Sequence, residues 1–407
     1  MRVLLSTIGS RGDVQPLVAL ALELRAFNHD IRLCVPPDFR EWIEGLGFAV
    51  TPIGPELRRM TTSGPPVMPS AGQRRRLAEA SVAAQFTTIA QAAQGCDLIL
   101  GATALQIAAR SVAEQMGIPY VFVVYCPNVL PSAHHAPPPL PPLPGEAPID
   151  PADNRALWAR DTARFNSLFG EALNAHRKAV GLAPVTDVRS HVLTDTPWLA
   201  ADPVLGPWPD VLDPVFQPGA WIVPDKRPLS PEIERFLDAG SSPVYFGFGS
   251  IRAPEQLARV LIDAARALDR RAIISRGWAD VSLLDPGPDC LLIGEVNQQQ
   301  LFTRVAAVVH HGGAGTTAAA ALAGTPQVII PQVYDQHYWA RRVEELDIGS
   351  AHAPGAPTSE SLLPALERAL RPSVAEKASI VATKVRWDGA RVAAEELGSV
   401  IPTGGWR

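Results

Sequence analysis

Cysteine is scarce in this 407-residue chain, and its four copies, Cys34, Cys96, Cys126 and Cys290, stand far apart without a C-x-x-C pair. That spacing suggests neither a zinc site nor a disulfide framework and suits a reducing interior. Long apolar runs are missing too. No stretch approaches the roughly 18 residues of a membrane span, and "VLLSTIG" is too short for a signal-peptide core. The expected protein is soluble and cytoplasmic, without stable membrane insertion. Charge of either sign is dispersed: 36 basic residues, only four of them lysine, face 41 acidic ones for a formal charge of -5. No footprint for nucleic acid or anionic lipid results, and a small-molecule or neutral partner is favoured. Several chemistry-bearing motifs are also absent. There is no G-x-x-x-x-G-K-[ST], H-E-x-x-H, G-x-S-x-G or EF-hand loop, and Gly9 and Gly12 lack the G-x-G-x-x-G spacing of a dinucleotide fold.

What is present is an alternation of short apolar strands and helical stretches. Hydrophobic residues make up 47% of the chain, enough for full-sized cores, and two domains are expected from the length. "MRVLLST" reads as a strand, "IGSRGDVQ" as a glycine-bearing loop, and "PLVALALELRAF" as a helix with proline in its first turn. The strands "HDIRLCVPP", "AVTPIG", "DLILGA" and "PYVFVVY" follow with helices between them, the pattern of a doubly wound parallel α/β sheet. After Tyr125, "CPNVLPSAHHAPPPLPPLPGEAP" has too much proline for helix or central strand and reads as a long surface loop. Proline and glycine return over 201–228, which reads as a linker. A second alternation then begins with Ser230 capping a helix and runs through "PVYFGFGS", "RAIISRG", "CLLIGE", "AAVVHH" and "PQVIIPQ". The expected division is 1–205, a linker over 206–228, 229–385, and a last helix within 386–407 that can pack back on the first domain.

In open α/β sheets ligands gather beyond the carboxyl ends of the strands, where unpaired helix N–H groups face an anion. "VVHHGGAGTT" occupies such a place. Gly312, Gly313 and Gly315 let backbone approach oxygen atoms, Thr316 and Thr317 add hydroxyls, and His311 offers a ring N–H. The same residues also read as a tight turn with capping threonines and a core histidine. One strand later, Asp335 and Gln336 open another helix, where a carboxylate and an amide can hold vicinal sugar hydroxyls. Taken alone, they read rather as a helix cap with an exposed glutamine. Ser250, at the end of "GFGS", is either a cap or a phosphate ligand. No D-x-D occurs, so a metal-free site is expected.

Together "GSRGDVQPLVALA", "GFGS", "SRGWAD", "GEVN", "HHGGAGTT" and "DQHYWARRVEEL" resemble the nucleotide-sugar glycosyltransferases of the GT-B fold. The likeness is nearest to the bacterial enzymes acting on vancomycin-group glycopeptide aglycones, with sterol glucosyltransferases next. It implies two Rossmann-like domains facing each other across a cleft, the first holding acceptor and the second the donor. Position by position, it implies that His311, Gly313, Ala314, Gly315, Thr316 and Thr317 bind the donor diphosphate, with Ser10 and Ser250 closing on it. Asp335 and Gln336 would hold the sugar, and backbone around Val296 would read the base. Plant relatives stack a tryptophan on uracil where this chain has Gly294; Trp278 is either a substitute or core. Asp13 is the implied catalytic base, its alternative being a helix cap ahead of Pro16. Tyr125, His134 and His135 are candidates for lining the acceptor site, or parts of a solvated loop.

The implied reaction is metal-independent inverting transfer, needing no cofactor beyond its co-substrate, UDP-glucose or a dTDP-sugar, to a hydrophobic or peptide-like aglycone. A sterol or a polyketide or macrolide acceptor is the alternative within the enzyme class. A sugar-nucleotide epimerase, a non-catalytic sugar-nucleotide-binding helper and a nicotinamide oxidoreductase are the rivals outside it. The oligomeric state is not legible.

Overall fold

The structure is a computed structural model that describes residues 1–58, 69–143, 145–210, 215–249, 257–277 and 287–400. Two parallel sheets of six strands each organise these residues. The first contains β1 (Arg2–Thr7), β2 (Asp30–Val35), β3 (Ala49–Pro52), β4 (Leu98–Ala102), β5 (Tyr120–Val124) and β6 (Trp198–Leu199), in the order β3-β2-β1-β4-β5-β6. The second contains β7 (Val244–Gly247), β8 (Ala272–Ser275), β9 (Cys290–Ile293), β10 (Ala307–His310), β11 (Gln327–Ile329) and β12 (Gly349–Ala351), in the order β12-β11-β10-β7-β8-β9. Strands β1, β4 and β10 are buried throughout or nearly so, because helices cover both faces and no alternation of polar and apolar residues is needed.

Each order reverses direction once, between β1 and β4 in the first sheet and between β10 and β7 in the second. Loops diverge at such a reversal and leave a crevice. In the first sheet the crevice lies beside the loop from β1 into the helix Arg11–Ala26. In the second, register pairs Gly247 with His310 and brings "GFG" and "HHGGAG" side by side.

The halves share buried material. One apolar cluster runs from Leu199, Leu205 and Ala220 to Ile329, Tyr338 and Trp339. Arg342 Nε donates to the Leu205 carbonyl at 2.9 Å, and Arg386 N donates to Asp202 Oδ2 at 2.8 Å. Within the helix Gly389–Val400, Ala390, Ala393, Ala394 and Leu397 join the cluster of Val14, Leu17 and Val18 on the helix Arg11–Ala26. Asn297 is buried, and its Nδ2 donates to the Asp225 and Arg227 carbonyls, each at 2.8 Å, tying the connecting segment to the second sheet. Among the described residues no helix is long and apolar enough to cross a membrane.

Candidate active site between the two sheets

Asp13 lies in the first turn of the helix Arg11–Ala26, at the mouth of the first crevice. Its Oδ2 accepts from Ser10 N at 2.6 Å and Ser10 Oγ at 3.3 Å; Oδ1 makes no hydrogen bond to another described residue. The half-buried carboxyl is raised from its ordinary 3.8 to about 6, because burial outweighs the two Ser10 bonds that favour the charge. The helix start is therefore capped by this residue, and one oxygen remains for something else. Gly9 makes the arrangement sterically feasible. A Cβ there would fall 2.2 Å from Asp13 Oδ2, so only glycine lets the loop close over the carboxylate.

Ser10 turns both its hydroxyl and its N–H to Asp13. The acceptor candidates differ from one another. Tyr125 is buried, packs edge-on against Trp221 and donates its hydroxyl to the Asp13 carbonyl at 3.0 Å, so it anchors the backbone of the loop that carries Asp13. His135 is buried between Trp158 and Trp208, with Nε2 at 2.9 Å from the Leu130 carbonyl, and braces the proline-rich loop from inside. His134 sits on the rim, its side chain 61% exposed and 3.2 Å from Asp210.

Across the opening, β10 ends at His310 and His311 follows it, the two histidines having different tasks. His310 is fully buried; its Nδ1 accepts from Gly312 N at 3.1 Å, which leaves the proton on Nε2, 2.9 Å from Gln327 Oε1. It locks the turn, which Gly312 completes at φ 92°. His311 stands between Gly249 and Gly313: a Cβ on Gly313 would come within 2.7 Å of its Nε2. Burial lowers the His311 pKa to about 4 against the pull of the Gly247 carbonyl, so the ring is neutral, and Nδ1 finds no partner among the described residues.

The helix Ala314–Leu322 begins with Gly313 as its cap and no side-chain capping bond, leaving the first N–H groups unclaimed by any side chain. A Cβ at Gly315 would meet nothing within 4 Å, so the space above those N–H groups is open. Such a start receives an anion readily. Thr316 is half-buried, and its hydroxyl makes no hydrogen bond among the described residues. Thr317 departs from expectation: it is buried, and its hydroxyl donates to the Gly313 carbonyl at 3.0 Å, securing the helix.

Asp335 and Gln336 overturn the simple cap reading. Asp335 makes no capping bond; its Oδ2 accepts from Trp339 Nε1 at 3.2 Å. Burial first, and then the charge of Asp13, raise its carboxyl to about 7, so these two acids from opposite domains share one electrostatic environment. Gln336 is buried rather than exposed. Its Oε1 accepts from Gln332 N at 2.8 Å and Val333 N at 3.1 Å, leaving only Nε2 uncommitted. Arg11, two residues before Asp13, pairs with Glu295 at 2.5 Å beside the half-buried Val296 and further joins the two lips. At Gly294 an added Cβ would meet nothing within 4 Å. Ser250 and Trp278 lie outside the described residues, as does most of "RRMTTSGPPVMPSAGQRRR". No group of three or more His, Cys, Asp or Glu able to hold a metal occurs among the described residues.

Sequence reasoning also missed Gly9, whose spacing four residues before Asp13 was the available signal, and the buried Arg189–Asp161 pair, for which there was none. Arg189 Nε lies 2.9 Å from Asp161 Oδ2, and its guanidinium stands 4.4 Å from the Phe165 ring centre.

Two doubly wound domains, with an anion-receptive helix start on one facing a carboxylate with a free oxygen on the other, define a glycosyltransferase of the GT-B type. The comparisons agree. Residues 3–134 match the glycosyltransferase family 28 N-terminal domain, and 259–391 match the erythromycin biosynthesis protein CIII-like C-terminal domain. Over 401 residues the chain is 51% identical to vancomycin aglycone glucosyltransferase of Amycolatopsis orientalis, covering 98% of this chain and 97% of that protein. It is 43% identical to dTDP-epi-vancosaminyltransferase of the same organism, over 94% of this chain and 93% of that one. The glycosyltransferase VinC in complex with dTDP superposes with a TM-score of 0.69 at 21% identity, covering 98% of this chain and 99% of that one, a likeness of fold. This chain belongs to the glycosyltransferase family that includes the vancomycin-group glycopeptide enzymes, and it is a glycosyltransferase.

Proposed function

We propose that this enzyme transfers glucose from UDP-glucose to a hydroxyl of a glycopeptide aglycone in the cytoplasm, inverting the anomeric carbon and using no metal ion. In this reading residues 1–205 hold the acceptor, 229–385 the donor, 206–228 connect them and 386–407 return to the first domain. One observation carries the chemistry: Asp13 is locked through Oδ2, receives no bond from another described residue at Oδ1, and is raised to about 6. A phenol has a pKa near ~10, so complete proton transfer to this carboxylate is uphill by ~5 kcal/mol, against ~8 kcal/mol for an ordinary aspartate. An aliphatic alcohol is a far weaker acid. The base is thus matched to an aromatic hydroxyl, whose proton it accepts as the new C–O bond forms.

The acceptor oxygen attacks the anomeric carbon opposite the departing diphosphate, which takes the bonding electron pair. The N–H groups opening the helix Ala314–Leu322 and the N–H of His311 stabilise the growing charge without rearranging. Asp335 and Gln336 Nε2 hold the sugar. The 51% identical relative is named as a glucosyltransferase and the 43% identical one as a dTDP-sugar transferase, which makes a dTDP-deoxysugar the competing donor. Mass spectrometry of products from UDP-glucose and dTDP-sugars, each with glycopeptide, sterol and macrolide aglycones in the presence of EDTA, tests the proposal. A glucosylated glycopeptide is expected. Products only from dTDP-sugars, only from another aglycone, or only with added metal would refute the corresponding part.

A further inference from the structure

We infer that Tyr334 is an acceptor-contacting residue that the donor domain extends across the cleft, its ring holding the aromatic face of the aglycone beside Asp13. The inference rests on the proposed transfer to an aromatic hydroxyl.

The backbone gives the first reason. Tyr334 adopts φ 59°, in the left-handed region, where a bulky side chain is strained and glycine or asparagine is at ease. Strain of this kind survives only where surrounding bonds over-determine it, and it concentrates at functional sites. Here Gln336 Oε1 accepts from Gln332 N and Val333 N, and Gln336 N donates to the Val333 carbonyl at 3.3 Å. A turn that merely linked β11 to the helix Gln336–Glu345 would have no need of tyrosine there.

Position gives the second. Tyr334 is 37% exposed and Val333 58% exposed, an aromatic and an aliphatic side chain left open together immediately before Asp335. Asp335, the next residue, accepts from Trp339 Nε1 at 3.2 Å, and a Cβ on Gly206 would come within 2.9 Å of that same indole, so the turn carrying Tyr334 sits against the first domain; burial acts first on the Tyr334 phenol, followed by the charges of Arg189, Asp335, Asp161 and Asp13. Arg189, on the first domain, is 2% exposed, stands 5.7 Å from the Trp158 ring centre, and its Nη1 has no partner among the described residues. Such surroundings suit a planar ring bearing a hydroxyl, flat against Tyr334 and Val333 with its oxygen towards Asp13.

Steady-state kinetics with a glycopeptide aglycone and UDP-glucose, together with calorimetric titration of UDP and of the aglycone, test this. Tyr334→Ala is expected to raise the aglycone KM and Kd about tenfold, ~1.4 kcal/mol, while UDP affinity stays within about twofold. Tyr334→Phe, which keeps the ring, recovers most of that loss. Tyr334→Gly loses acceptor affinity like Ala yet melts no lower than wild type, because it removes the strain. An unchanged aglycone Kd in Tyr334→Ala, a parallel fall in UDP affinity, or a Tyr334→Gly variant that only melts lower would overturn the inference. Aglycone binding that depends on Tyr334 in an enzyme that transfers no glucose would refute the proposed donor and leave this inference standing.

Discussion

Replacing Asp13 by asparagine separates catalysis from stability in a way the geometry makes quantitative. Folding raises the carboxyl from 3.8 to about 6, and each unit corresponds to ~1.4 kcal/mol, so the charged form opposes folding by up to ~3 kcal/mol. Solvent reaching the half-buried side chain reduces this to roughly 1–2 kcal/mol. The folded state prefers the protonated acid. The cost is therefore absent below the ordinary value, develops between 3.8 and about 6, and is fully present above that. Asparagine carries no such cost, and its carbonyl still accepts from Ser10 N. Asp13→Asn should be more stable than wild type by ~1–2 kcal/mol at pH 7.5 and nearly equal at pH 3.5, while turnover falls roughly 10²- to 10⁴-fold. Urea unfolding at both pH values, with product formation under saturating donor, checks both. Near-wild-type turnover, or a variant less stable at pH 7.5, would refute the reasoning.

Three further outcomes follow from the same site. Gly9→Ala puts a methyl group 2.2 Å from Asp13 Oδ2; kcat should fall about 100-fold with UDP affinity unchanged by calorimetry, and a wild-type kcat would contradict the close approach. Tyr125→Phe removes the 3.0 Å bond to the Asp13 carbonyl; urea unfolding should show a loss of about 1 kcal/mol, and no loss would mean the bond is dispensable. The acceptor kcat/KM should fall about tenfold per pH unit below an inflection near the Asp13 value of about 6 and stay level above it. An inflection near 4 would mean the working base is not buried.

The sheets were legible in the sequence because each long strand is a short apolar run between turn residues. Strands β6 and β12 were not: two and three residues carry no pattern, and neighbouring strands recruit them. The helix Asn154–Ala179 was hidden for another reason. Its buried face includes Asp161 and Arg177 beside Trp158, Phe169 and Leu173, so the apolar period is broken by groups whose partners, Arg189 and Glu114, come from elsewhere in the chain. The same limit governs the site. Glycines and the turn after β10 show locally what they permit, whereas Tyr125 is committed by a hydrogen bond to the distant Asp13 carbonyl and His135 by the rings of Trp158 and Trp208, which no local pattern encodes.

The anomeric configuration of the product tests the central claim most directly. Proton NMR of the glycoside formed from α-linked UDP-glucose, with EDTA present, should show a β-linkage, the outcome of one in-line displacement assisted by Asp13. An α-linked product would require two displacements or a front-face route and would contradict the account.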